Sequence, residues 1–126
     1  MSRVPKETVL NKELRRKSTM DKRTCYDKLV RDKISEHLCR KKLKHKVSLT
    51  KDHFEYQERL ETKLLEEVKE FLDEPCNEEA ADVLEVFEAL LKAHGIALSN
   101  VIDARFKKAE SKGRFNDGVV LEWVER

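Results

Sequence analysis

The sequence predicts an all-α protein, and two features of its composition support this fold class. The 126 residues include only three glycines and two prolines, too few for the frequent turns of a β-sandwich or barrel. Charged residues make up 41% of the chain and aromatic residues 6%, a balance typical of helices rich in Leu, Glu and Lys. The hydrophobic fraction of 39% excludes a wholly disordered chain but is small for a solitary domain. We therefore expect a bundle of about four helices that completes its core by forming oligomers.

The periodicity of apolar residues places the first two helices. Val30, Ile34 and Leu38 recur every four residues and predict a helix over about residues 27–42. Asp52 and Glu55 have the spacing of a capping box, which predicts that a second helix starts there and runs to about residue 72.

Residues that start and stop helices place the remaining elements. Pro75 interrupts the chain, and we expect Asn77 to be the N-cap of a third helix that ends near His94, just before a glycine. We expect Ser99 to cap a fourth helix that ends near Lys112. The tail over 115–124 partly alternates apolar and polar residues, which is compatible with a short strand pairing with residues 46–50.

Basic residues are concentrated at the start of the chain. Residues 1–26 hold eight Lys or Arg against three Asp or Glu, whereas residues 27–126 hold nineteen against twenty-two. We predict a basic, flexible arm over 1–25 followed by one all-α domain over 26–126. No apolar stretch is long enough for a signal-peptide core or a membrane span, and the three cysteines are widely spaced. These features predict free thiols, a cytoplasmic location and no membrane partner.

Four acidic residues lie on or beside the apolar faces predicted for the second and third helices. On a helical wheel, Glu67 lies at the rim of the apolar arc, and Glu70 stands one turn further along the same flank. Glu79 lies in the middle of the apolar arc of the third helix, with Asp82 on its edge. A carboxylate facing a core costs on the order of several kcal/mol unless its charge is satisfied, and carboxylates brought close together repel each other. The all-oxygen set predicts a bound Mg²⁺, with Mn²⁺ as the alternative, and hence chemistry on phosphate groups.

Taken together, the motifs resemble a known family. Glu66-Glu67-x-x-Glu70 followed by Glu79-x-x-Asp82 is similar to the EExxE…ExxD signature of the all-α nucleoside triphosphate pyrophosphatases, which include MazG and phosphoribosyl-ATP pyrophosphohydrolase. The segment 26–34, YDKLVRDKI, resembles the opening motif of the small MazG-like branch. The segment 107–115, KKAESKGRF, resembles its closing motif, although Arg114 replaces the second glycine.

The resemblance implies a MazG-like helical bundle that forms a homodimer or homotetramer. It also implies Mg²⁺-dependent hydrolysis of a nucleoside triphosphate between the α and β phosphates, giving a monophosphate and pyrophosphate, as a house-cleaning enzyme does. Position by position, the implied metal ligands are Glu67, Glu70, Glu79 and Asp82. The implied catalytic residues are Glu66 and Glu67, with Glu66 either a further ligand or the group that orients the attacking water. The basic residues expected to bind the substrate phosphates are Lys28, Arg31, Lys33, Lys108, Lys112 and Arg114.

Two alternative functions remain open from the sequence. One, within the same family, is hydrolysis of phosphoribosyl-ATP. The other is a non-catalytic helical dimer that binds nucleic acid or protein through its basic arm. We do not expect nucleic acid as a partner, because no aromatic residues are interleaved with the basic residues of the arm.

Overall fold

The computed structural model describes residues 23–126, and this part of the chain is all-α, as predicted. Its helices are α1 (Ile34–Arg40), α2 (His53–Asp73), α3 (Asn77–Ala93) and α4 (Leu98–Lys112). No strand forms within these residues, so neither the tail nor residues 46–50 adopts the strand conformation considered from the sequence. Most of the predicted basic arm lies outside the described residues.

Helix α1 is shorter than the sequence suggested, because it begins at Ile34 and not near residue 27. Asp27 has a φ of +43°, in the left-handed region, which is incompatible with a continuing α-helix at that position. The helix ends in a Schellman motif in which Lys42, with φ +56°, is the left-handed residue. The N–H of Leu43 donates to the carbonyl of Leu38 at 3.0 Å, which closes this motif. The opening motif therefore forms a non-helical segment followed by a short helix.

Helices α2 and α3 form the central antiparallel hairpin. The Asp52 side chain accepts a hydrogen bond from the Glu55 N–H at 2.8 Å, so the predicted N-cap of α2 is confirmed. A connection of three residues, 74–76, joins the helices, and they pack against each other along their length. At the far end, His53 and Gln57 of α2 donate to the carbonyl of Ala93 of α3 at 2.8 and 3.0 Å.

The starts of α3 and α4 differ from the predictions by one or two residues. Cys76 is the N-cap of α3 and Asn77 its first helical residue, while Ala97 and not Ser99 is the N-cap of α4. Neither capping residue forms a side-chain cap hydrogen bond, so the residue types preferred at N-caps gave no correct signal here. The ends at Gly95 (φ +70°) and Gly113 (φ +84°) were predicted correctly.

The apolar core of the described residues is small. Leu60 of α2 and Leu91 of α3 are the only hydrophobic residues of this part of the chain that are buried. By contrast, Leu65 and Leu72 of α2 are 72% and 70% exposed, and Leu84 of α3 is 59% exposed. Much of the apolar face of α2 is therefore not covered by α3. Exposure of this many large apolar side chains is unusual for a chain that remains monomeric.

None of the helices in residues 23–126 has the length and apolar character needed to cross a membrane.

Candidate metal centre

Three carboxylates from α2 and α3 meet between the two helices. Glu67, Glu79 and Asp82 each offer an oxygen atom, and these atoms lie within 4.8 Å of one another. Glu67 and Glu79 are 5% and 2% exposed, although most of the large apolar residues nearby in sequence are more accessible. The helical positions that placed these acids at the apolar arcs therefore predicted their burial correctly. We call these three residues the acidic triad.

Burial and crowding both act on the charge of Glu67. Removal from water raises the pKa of Glu67 above its ordinary value of 4.5, and the charges of Asp82 and Glu66 raise it further. The positive charge of Lys63 and its hydrogen bond lower the pKa and partly oppose these effects. Positive charge placed near Glu67 therefore favours its ionised form, as Lys63 already does.

Within residues 23–126, Lys63 of α2 is a basic residue in direct contact with a buried acid of the triad. Its Nζ lies 3.2 Å from Glu67 Oε1 and 3.5 Å from Glu66 Oε1, and its side chain is only 16% exposed. Lys63 was not among the predicted site residues. Its position three and four residues before two glutamates is the spacing of helical ion pairs, and this signal could have identified it.

Two basic residues of the opening motif also reach the acids. The Lys28 ammonium lies 3.3 Å from Glu66 Oε1, and Arg31 donates from Nη2 to Asp82 Oδ1 at 2.7 Å. Lys28 additionally lies 5.5 Å from the centroid of the Tyr26 ring, within range of a cation–π contact. The structure therefore brings together the opening motif and both acidic motifs, although the motif segment is mostly not helical.

Arg59 of α2 contacts the start of this segment, and it too was not among the predicted site residues. Its guanidinium donates to the Asp27 carbonyl and to Asp27 Oδ1, both at 3.1 Å, and it also lies 3.4 Å from Glu55. The hydrogen bond and charge of Asp27 raise the pKa of Arg59. Because Asp27 directly precedes Lys28, this contact holds the segment over α2 on the approach to the triad.

The remaining predicted site residues are less closely associated with the triad. Glu70 is half-buried on α2 but does not belong to the group of three converging carboxylates. Lys33, the N-cap of α1, is exposed, as are Lys108, Lys112 and Arg114. Arg114 lies 5.9 Å from the Phe106 ring, and within residues 23–126 helix α4 packs little against the α2–α3 hairpin. A role for these cations at the triad stays a prediction.

The donor set of the triad fits a hard divalent cation. All three groups are carboxylates, and no histidine or cysteine belongs to the cluster. Oxygen ligands favour Mg²⁺ or Mn²⁺ over zinc or copper, which prefer sets that include nitrogen or sulfur. The mutual repulsion of the three carboxylates would fall if such an ion were bound between them. Glu66 is partly buried beside the triad, and its Oε1 is paired with both Lys28 and Lys63.

Comparison with known proteins adds no relative: no family model, no curated protein and no solved structure matches the chain.

Proposed function

We propose that this protein is a Mg²⁺-dependent nucleotide pyrophosphohydrolase that cleaves a nucleoside triphosphate between the α and β phosphates. The observation that carries the proposal is the acidic triad, in which carboxylates of two sequence motifs converge and two of them are nearly inaccessible to water. Glu67, Glu79 and Asp82 are the proposed metal ligands, and the resemblance to the all-α pyrophosphatases adds Glu70. When bound, Mg²⁺ supplies a charge that offsets the phosphate oxygens and makes water a better nucleophile.

The basic residues of the opening motif are proposed to bind the phosphates. Arg31 is 63% exposed although it contacts Asp82, so its guanidinium can turn from the carboxylate to an incoming phosphate without crossing the core. Its planar fork suits two phosphate oxygens, whereas Lys28 provides a single point charge. Glu66 is the group proposed to accept a proton from the attacking water or to orient it, because it lies beside the triad but outside it. The proposed site therefore has an acidic half, the triad with Glu66, and a basic half, Lys28 and Arg31.

The chain is further proposed to form a homodimer or homotetramer. The described part of a single chain buries only two hydrophobic residues, while several apolar residues of α2 and α3 are largely exposed. Burial of such residues contributes about 25 cal/mol for each Å² removed from water, so an interface over them would supply stability that a single chain lacks.

The direct test incubates the folded protein with a nucleotide panel and Mg²⁺ and measures pyrophosphate and monophosphate together. The panel includes ordinary and non-canonical triphosphates and phosphoribosyl-ATP, because the motifs do not distinguish these substrates. We expect at least one member to give equimolar pyrophosphate and monophosphate. Absence of pyrophosphate with every member, from a folded sample supplied with Mg²⁺ or Mn²⁺, would contradict the proposal.

A matched pair of neighbouring glutamates tests the assignment of the site. Glu78 and Glu79 both lie in the first turn of α3, but Glu78 is exposed and Glu79 is buried in the triad. We expect Glu79→Gln to lower kcat/KM by at least about a hundredfold, the order of effect seen when one group that stabilises a transition state is removed. Glu78→Gln should retain activity near that of the wild type. Equal activities of the two variants would refute the role given to Glu79.

A further inference from the structure

The position of Lys63 bears on how the proposed metal site is regulated, and any such regulation rests on the proposed function. Lys63 Nζ lies within ion-pair distance of both Glu66 and Glu67, and only 16% of its side chain is exposed. The contacted acids are 25% and 7% exposed at their side chains. This is therefore not a solvated surface pair of the kind that contributes little to stability.

Lys63 and a divalent cation would compete for the same carboxylate. Glu67 is both a member of the acidic triad and the closer of the two partners of Lys63. An ammonium group and a metal ion placed on one carboxylate repel each other, and in a partly buried site this repulsion is weakly screened. Either the metal binds more weakly or the ammonium group moves away.

The surroundings of Lys63 provide a place to which it can move. Glu66 Oε1 is already 3.5 Å from Nζ and lies outside the triad, and the four-carbon stem of lysine allows a small rotation towards it. Lys28 contacts the same Glu66 oxygen at 3.3 Å, so the two ammonium groups share this acceptor. An incoming phosphate near Glu66 would be an alternative acceptor for either ammonium group.

We infer that Lys63 is a built-in counterion that neutralises Glu67 when no metal is bound and that the metal must displace. Lys63 is a positioning residue in this role, because it acts through Glu67. It keeps the acids of the hairpin compatible with folding in the absence of metal. Lys63 also makes the affinity of the triad for metal lower than it would be without this ammonium group.

Titration with Mn²⁺ alone tests this inference on the full chain without any turnover. Lys63→Met keeps an unbranched side chain of similar length but removes the charge, and Lys69→Met removes the charge of an exposed lysine on the same helix. We expect Lys63→Met to bind Mn²⁺ roughly tenfold more tightly than the wild type, equivalent to removing one partly buried competing ion pair. Lys69→Met should change the Kd by about twofold or less, because its charge is exposed and screened. Lys63→Arg, which retains the charge, should bind within about threefold of the wild type.

Thermal unfolding gives a second readout that separates competition from a purely structural role. In the presence of a chelator, Lys63→Met should have a lower Tm than the wild type and Lys69→Met, because Glu67 loses its counterion. In saturating Mn²⁺ this difference should disappear, since the metal then neutralises the acids in all three proteins. Lys63→Gln is the substitute if the methionine variant does not fold.

The outcomes distinguish this inference from the proposed function. If the wild type binds Mn²⁺ and loss of the Lys63 charge leaves the affinity equal to or weaker than that of Lys69→Met, the competition is overturned and the metal site stands. If the wild type binds no Mn²⁺, both the proposed site and the competition are overturned.

Discussion

Arg31 donates a hydrogen bond to Asp82 at 2.7 Å, although 51 positions separate the two residues in the sequence. The contact joins a basic residue expected to bind phosphate to an acid expected to bind metal. Lys28 and Glu66 repeat the arrangement at 3.3 Å. In the absence of ligands, the basic and acidic halves of the proposed site therefore neutralise each other. Binding of metal to Asp82 would release Arg31 for a phosphate chain, so the two ligands should favour each other's binding.

The anchor at Arg59 leads to a first prediction about substrate binding. Arg59→Met removes the hydrogen bonds to Asp27 and should leave Lys28 and Arg31 less well positioned. We expect KM to rise several-fold, while the free energy of unfolding changes little, because the Asp27 side chain is largely exposed. Mn²⁺ affinity should change little, since Arg59 contacts no member of the triad in the described structure. Arg105→Met, which changes an exposed arginine of α4, is the control in steady-state kinetics, and an unchanged KM for Arg59→Met would contradict the prediction.

A second prediction concerns the pH dependence of stability. Burial raises the pKa of Glu67, so between its ordinary value of 4.5 and the raised value the folded state binds more protons than the unfolded state. The contribution of Glu67 to stability is therefore fully present below about pH 4.5 and is lost as the pH rises through the raised pKa. The Glu67→Gln variant has no carboxyl group to ionise at this position, so it does not lose stability in this way. Relative to the wild type, it should become progressively more stable as the pH rises through this window.

Urea unfolding across this pH range measures the stability difference between the two proteins. A chelator is present throughout, because a bound metal would mask the difference. Glu61→Gln is the control, since it removes an exposed carboxylate from the same helix. A stability difference between Glu67→Gln and the wild type that does not grow with pH would show that ionisation of Glu67 carries no folding cost.

Most of the α2–α3 hairpin could be predicted from the sequence because its signals are local. Asp52 caps α2 through the N–H of Glu55, and Gly95 follows α3 in a left-handed conformation that favours glycine. The burial of Glu67 and Glu79 also followed from their positions on a helical wheel. In these cases neighbouring residues and helical periodicity determine the outcome.

The opening segment could not be predicted in the same way, because tertiary contacts override its helical periodicity. Val30, Ile34 and Leu38 have helical spacing, yet helix α1 starts only at Ile34. The contact between Arg59 and Asp27 joins residues 32 positions apart. The sequence around either residue does not show that the chain forms this contact in place of a longer α1. The association of Lys63 with Glu67, by contrast, is a local helical pair that periodicity does reveal.

The exposed apolar face of α2 leads to the last prediction, which concerns assembly. Leu65 is 72% exposed in the described chain, and its burial in an interface would contribute about 1.5–3 kcal/mol per side chain. Leu65→Asp should therefore raise the Kd of self-association by at least about tenfold for each Leu65 side chain that the interface buries. Light scattering over a concentration series would detect the shift towards monomer, with circular dichroism to verify that the helices persist.

Lys69→Asp changes an exposed residue of the same helix and controls for the added negative charge. A wild type that is monomeric at high concentration would contradict the proposed oligomer. If Leu65→Asp dissociates but still binds Mn²⁺ with unchanged affinity, the triad is complete within one chain, as the convergence of Glu67, Glu79 and Asp82 leads us to expect.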